Sequence, residues 1–308
     1  MKKKCSEFFN KIKKNLFPAS EIKLQYLKLQ YEIRYSQLID KILNSNVPGI
    51  DRQAYCEHEI IVSLTSYGKR LYDAAAAIES IMQQTMRPNR IILNLDKDAL
   101  DEPLPIALQR QMKRGLEVEV EDEHIRSYKK LIPTLRRFPN AIIITIDDDC
   151  IYDCDVVERL FKSYLHNKNC VSALRTHTIQ LNKEGKPKPY LSWIEKPYKH
   201  KKGNLLFPTG VGGVLYPPGV FNEEVFNQDA FTKLAPTADD VWFHAMALLN
   251  GTEIVKAGSR HPDGADYVTN YDIQDVALFN SNGGSEQQND SQIKAVYDRY
   301  DIYPFLKK

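Results

Sequence analysis

Between residues 60 and 146, short and almost wholly apolar runs alternate with longer stretches of helical character. That alternation limits the fold more than any other feature of the chain. Residues 60–64 read as a buried strand and 71–84 as a helix, then 90–95 as a strand and 103–114 as a helix. Leu116, Val118 and Val120 alternate with Glu117 and Glu119, the pattern of a half-exposed strand. A helix over about 128–138 leads into residues 141–146, where Thr145 is the only polar side chain. Strands this apolar need cover on both faces, so the pattern predicts an α/β chain with a mostly parallel, Rossmann-like sheet flanked by helices. Such sheets bind ligands outside the carboxyl ends of their strands, so chemistry belongs to the residues just after each strand.

A different segment precedes this core. Residues 20–43 read as one long helix with Leu24, Leu27, Tyr31, Tyr35, Leu38 and Ile42 on one face, ended by Pro48-Gly49. Ahead of it, Phe8, Phe9, Ile12, Leu16 and Phe17 can share a face among the lysines of residues 1–18. Residues 1–45 carry ten Lys and Arg against four Asp and Glu, a net +6; the whole chain is only +2, so the remainder is −4. Two readings stay open for this basic head. Residues 1–18 lie on an anionic membrane surface, or they form a solvated end whose helix, 20–43, packs on the body or on a second copy in a homo-oligomer. The overall charge balance argues against a nucleic-acid partner. No run approaches the roughly 18 apolar residues of a spanning helix, and no signal-peptide core is evident. Five scattered cysteines without a CxxC pair argue against a disulfide or zinc framework. The expected setting is therefore cytoplasmic, and on the membrane reading the head is peripheral on the inner face of the plasma membrane.

Directly after the most apolar strand comes Asp147-Asp148-Asp149. Three adjacent carboxylates repel one another, and a bound divalent cation offsets that cost. Asp147 and Asp149, two apart in extended chain, point the same way. Oxygen ligands suit Mg²⁺ or Mn²⁺, which also take phosphate oxygens and water. The competing reading is a solvated loop in which Asp153 or Asp155 caps the next helix.

Six segments in order, over residues 59 to about 260, resemble the family 2 glycosyltransferases and their relatives with the GT-A fold. IIVSLTSYGKR matches the nucleotide-binding first strand, and AIESIMQQTMRPNRIIL the "S-I-L-x-Q-T" helix with its second strand. SYKKLIPTL matches the Lys-bearing helix, and Asp147 to Asp149 the DxD position. FPTGVGGVLY matches the glycine-rich acceptor loop, and ADDVWFHAMALLNG the helix that opens on an acidic pair. Two departures stand out: IILNLDKD offers only Asp96 where the family often has a double Asp, and the pair is Asp239-Asp240 rather than Glu-Asp.

The resemblance implies a metal-dependent, inverting transfer of a sugar from a nucleotide-sugar donor to a glycan or lipid-linked acceptor. It implies donor contacts from Thr65, Tyr67, Arg70, Asp96, Lys130, Asp147 and Asp148, with Lys129 and Lys69 as further cations. Asp149 and Asp147, joined by His261, are the implied ligands of Mn²⁺ or Mg²⁺. Asp240 is the implied general base beside Asp239, whose alternative is capping of the helix that follows. Gly212, Gly213 and Trp242 are placed on the acceptor side. Gly210 belongs to the same loop, and Trp193, Tyr198 and His200 lie nearby in sequence. The expected divisions are a basic extension over 1–50, the GT-A domain over 56–275 and a tail with a short helix over 276–308. Two alternatives carry weight: a catalytically silent relative acting as a scaffold, and a sugar-phosphate nucleotidyltransferase. The second would need a glycine-rich, Arg-containing loop after the first strand, where TSYGKR has a single Gly.

Overall fold

The computed structural model describes residues 19–193, 201–261, 265–270 and 288–307, apart from the side chains of residues 19, 20, 21 and 23. The expected membrane contact through residues 1–18, and Tyr198 and His200, lie outside the described residues.

The core is a seven-stranded sheet of β1 (Ile60–Thr65), β2 (Arg90–Asp96), β3 (Leu116–Glu121), β4 (Ile142–Thr145), β6 (Val171–Ala173), β9 (Val214–Tyr216) and β10 (Ile254–Lys256). Outside it, β5 (Cys150–Tyr152) pairs with β11 (Tyr267–Thr269) and β7 (Thr176–Thr178) with β8 (Leu206–Pro208). The order in the main sheet is β10-β6-β9-β4-β1-β2-β3. All neighbours pair in parallel except β9, which runs antiparallel to both β4 and β6. The sheet is thus mixed and mostly parallel, with helices on both faces.

Alternation along β1 shows why the strands are so apolar. Ile60, Val62 and Leu64 join one buried cluster, while Ile61 joins the other, on the opposite face. The first face is covered by α2 (Leu71–Met82) and α5 (Val156–His166), and the second by α7 (Asp239–Leu249) and α8 (Gln288–Tyr300). Strand β3 closes one edge and stays half-buried, as its Glu alternation predicts.

The segment expected as one helix over 128–138 is divided. A 3-10 turn at Arg126–Lys130 precedes α4 (Ile132–Arg137), and Leu131 breaks helical geometry between them. Pro133 is confined to the first turn of α4, where its missing N–H costs nothing. The division leaves Lys129 and Lys130 in the tight turn, buried and facing the sheet's carboxyl end. Residues 103–114 likewise shorten to α3 (Ile106–Met112).

Behind the first face lies a buried ion pair. Arg114 donates to both oxygens of Glu79, at 2.8 and 3.0 Å, and its Nε donates to the Val47 carbonyl at 2.7 Å. Glu79 is wholly buried on α2, so this guanidinium fastens the segment after α1 (Ala19–Asn44) to the domain.

Helix α1 packs on the body, one of the alternatives left open for it. Tyr31 clusters with Ala76 and Ile151, with Tyr35 and Leu38 alongside, and Ile42 is fully buried. Arg34 donates to Asp153 Oδ1 at 2.9 Å and to the Tyr152 carbonyl at 3.0 Å. Leu24, expected on the same face, remains exposed, and Ile22, Tyr26, Leu29 and Ile33 form a separate stripe, each more than half exposed.

Candidate active site

The carboxyl ends of β1, β2 and β4 open into a cleft of about 1750 Å³. It lies where the strand order reverses between β1 and β4, the crevice at which doubly wound sheets hold their ligands. Thr65, Tyr67, Arg70, Asp96, Lys130 and the triplet all line it, as do Asp239 and Asp240 from the start of α7. Residues from five sequence-distant segments therefore meet in one cavity.

Within the triplet the three carboxylates have different environments. Asp148 accepts Ser66 Oγ at 2.6 Å and Arg70 Nε at 3.1 and 3.2 Å, with a further short contact from Arg70 Nη2. Its acceptor capacity is largely used within the protein. Asp149 is buried and lies 3.2 Å from Arg70 Nη2. Burial, then the charges of Asp147 and Asp148, push its carboxyl up to about 6 against the pull of Arg70. Asp147 is the most open of the three, and its backbone N–H is pinned by the Tyr152 hydroxyl at 2.9 Å. A hard divalent cation fits this donor set: Asp147 and Asp149 offer oxygens, and an added positive charge would relieve the repulsion that raises Asp149. Two protein carboxylates leave the remaining positions to phosphate oxygens and water.

Lys130 joins the triplet to the acidic pair. Its Nζ lies 3.1 Å from Asp147 Oδ1 and 2.9 Å from Asp239 Oδ2. Burial works against its charge, yet Asp147, Asp239 and Asp240 outweigh it and hold the ammonium well above its ordinary pKa. Asp239 also accepts Ser127 Oγ at 3.1 Å. Asp240 accepts the Gly210 N–H at 3.1 and 3.2 Å; burial, then the charge of Asp239, push it up to about 7. Helix capping does not explain the pair, because Ala238 occupies the N-cap and neither carboxylate caps the backbone.

Several expectations are corrected. His261 does not join Asp147 and Asp149. Its Nε2 lies 3.5 Å from Asp153 Oδ2, and it groups with Asp153 and Asp266, because the segment after β10 turns toward the start of α5. Trp242 is fully buried rather than on the acceptor side: α7 is enclosed by the sheet and α8, and the indole N–H is satisfied by the Val225 carbonyl at 3.1 Å. Trp193 is core as well, donating to the Lys188 carbonyl at 2.9 Å. Of the loop glycines, Gly210 and not Gly212 or Gly213 faces the cleft. Gly212 is required because a Cβ would lie 2.5 Å from Arg175 Cβ, and Gly213 because its φ is +88°. Neither Asp153 nor Asp155 caps α5 through its side chain; Asp155 pairs with Arg159 and Arg260 instead.

At the far end of the cleft Asp96 contacts Lys129 closely and lies 3.1 Å from His124 Nδ1. Thr65 Oγ1 donates to the Asn94 carbonyl at 2.8 Å, and Tyr67 is half exposed at the mouth beneath the Arg70 guanidinium.

No protein-family model matches the chain, and no curated protein does. Among solved structures it is similar to a mannosyltransferase from Pyrobaculum calidifontis in complex with GDP-Man and Mn²⁺, with a TM-score of 0.41 and 12% identity. That similarity covers 75% of this chain and 62% of the other.

Four contributors escaped the sequence reading: Ser66, Ser127, Arg175 and His177. Ser66 and Arg175 each follow a strand by one or two residues, and that position was the available signal. Ser127 and His177 carried none.

Proposed function

We propose that the chain is a nucleotide-sugar-dependent glycosyltransferase. The observation that carries this reading is the single cleft in which Asp240, fixed by the Gly210 N–H, faces a carboxylate triplet across the ammonium of Lys130.

The donor's nucleoside lies toward Thr65, Tyr67 and Asp96, and its diphosphate toward Arg70, Lys130 and the triplet. Asp148 acts through Arg70, holding the guanidinium in place. Asp147 and Asp149 would hold a divalent cation, which would supply Lewis-acid neutralisation of the diphosphate charge. Lys130 adds a fixed positive charge in a buried setting, where it needs no reorganisation as the leaving group charges up.

An acceptor hydroxyl has a pKa far above neutral and needs a positioned base. Asp240 takes the hydroxyl proton while the acceptor oxygen bonds to the anomeric carbon. The bond from that carbon to the diphosphate breaks, and the nucleoside diphosphate leaves with the electron pair. Attack from the face opposite the leaving group inverts the anomeric configuration. Asp239, held by Ser127 and Lys130, keeps the ammonium between the two halves of the cleft.

The acceptor class is a glycan or lipid-linked hydroxyl, and the basic residues 1–18 bring the chain to an anionic membrane face. No helix among the described residues is long and apolar enough to cross a membrane.

Calorimetric titration of a panel of nucleotide-sugars, with and without Mn²⁺, tests the proposal. At least one donor should bind in a Mn²⁺-dependent manner and be slowly hydrolysed. Absence of binding across the panel would overturn it.

A further inference from the structure

One basic side chain of the cleft differs from the rest. Arg70, Lys129 and Lys130 each meet a carboxylate, and Lys69 and Arg126 are exposed to solvent. Arg175 is partly buried in the cleft wall, yet among the described residues its guanidinium pairs with no carboxylate. Among the described residues its one side-chain bond runs from Nη1 to the Thr209 hydroxyl at 2.9 Å. Most of a five-donor fork is left over.

The position of this fork is set by the loop that also sets the base. The Thr209 N–H donates to the Arg175 carbonyl at 3.1 Å, and Gly212 leaves room for the Arg175 backbone to pack against it. The next residue, Gly210, gives its N–H to Asp240. Arg175 and Asp240 are thus held by adjacent residues of one segment. His177, Tyr190, Phe207 and Thr209, which line the same cleft, carry no charge. Burial, then Arg175, push His177 down to about 3, so it stays neutral, and Tyr190 stacks edge-on against it at 5.6 Å.

We infer that Arg175 binds an anionic group, a carboxylate or a phosphate, on the acceptor and thereby presents a neighbouring hydroxyl to Asp240. The inference rests on the glycosyltransferase reading and names its acceptor class: an acidic sugar or a phosphorylated polyol rather than a neutral glycan. A guanidinium fork matches either oxyanion in a bidentate manner, and the other buried cations of the cleft, Arg70, Lys129 and Lys130, already meet carboxylates.

The test uses the full chain with nucleoside diphosphate and Mn²⁺, titrated calorimetrically with methyl α-glucuronide and sn-glycerol 3-phosphate. Methyl α-glucoside and glycerol are the uncharged counterparts. At least one anionic probe should bind more tightly than its counterpart, and Arg175→Gln should weaken it about ten- to a hundred-fold. The neutral probes should be unaffected. Arg175→Lys, which keeps the charge but loses the fork, should fall between, and both variants should melt close to the wild type. Equal affinity for charged and neutral probes, or equal loss for both in Arg175→Gln, would overturn the inference. A third arm compares UDP-glucuronate with UDP-glucose: selective weakening of the acidic donor in Arg175→Gln, with the acceptor probes unmoved, would assign the anion to the donor and overturn the acceptor role. Failure of the glycosyltransferase reading reads differently, as absence of nucleotide-sugar binding while the probes still respond to Arg175.

Discussion

The Gly210 backbone N–H lies 3.1 and 3.2 Å from the two carboxylate oxygens of Asp240. This contact fixes the orientation of the proposed base, and only glycine allows it. A Cβ at Gly210 would sit 2.7 Å from Lys130 Nζ and 3.0 Å from Asp240 Oδ1. Lys130 cannot simply swing away, since two carboxylates hold it. Gly210→Ala should therefore lower turnover by at least about ten-fold through misorientation of the base, while Mn²⁺-dependent nucleotide affinity changes less. Steady-state kinetics beside calorimetry separates the two effects.

Asp240→Asn keeps the shape of the side chain but cannot take a proton. Turnover should fall by about 10²–10⁴, the usual contribution of general-base catalysis, with donor affinity nearly unchanged. Parallel loss of donor affinity would mark Asp240 as a donor-binding or structural group.

The titration of Asp240 also predicts a pH dependence. The base must be ionised, so wild-type kcat should rise with pH through about 7. Stability should run the other way. A carboxyl whose folded pKa is raised holds its proton in the folded state where the unfolded chain has lost it, so its contribution is full below about 4 and is lost as pH rises through about 7. The melting temperature of the wild type should drop relative to that of Asp240→Asn between pH 5 and pH 8, and parallel curves would contradict the assignment.

Asp149→Asn removes one charge from a repulsive cluster while Arg70 and Asp148 remain paired. The fold should persist and Mn²⁺-dependent nucleotide binding should be lost. Unchanged Mn²⁺ dependence in calorimetry would remove Asp149 from the metal site.

Arg114→Met leaves the wholly buried Glu79 without its charge partner, 2.8 Å away. Breaking a buried pair on one side costs about 3–5 kcal/mol. Denaturant unfolding should show a loss of that order, with nucleotide affinity of the remaining folded protein intact, because the pair lies behind the sheet face opposite α7.

The membrane role proposed for residues 1–18 rests on their lysines, each worth about 1 kcal/mol near an anionic surface. Deleting residues 1–18 should abolish co-sedimentation with anionic vesicles at low salt. Equal co-sedimentation of the two forms would exclude that role.

The order of elements was legible in the sequence because strand and helix periods are local properties. Val62 and Leu64 alternate with Ile61 and Ser63, and that period of two survives whatever the strand packs against. The triplet was legible as well, since three adjacent carboxylates after an apolar strand conflict with local stability, as was the doubled Asp239-Asp240. What the sequence by itself determined was therefore the sheet and the segments that line its cleft. The tertiary structure alone decided which side chains of those segments meet. Gly210 and Asp240 are thirty residues apart, and nothing in their spacing sets Gly210, rather than Gly212 or Gly213, against the carboxylate. Trp242 and Asp240 share α7, yet one is core and the other lines the cleft, because α8 covers the helix on the side away from the sheet. His261 turns toward Asp153, and Arg175 is tied to Thr209, next to the Gly210 that holds Asp240. Each of these pairings depends on strand order and on how close two backbones approach. Those are distances between segments remote in sequence, and no local periodicity encodes them.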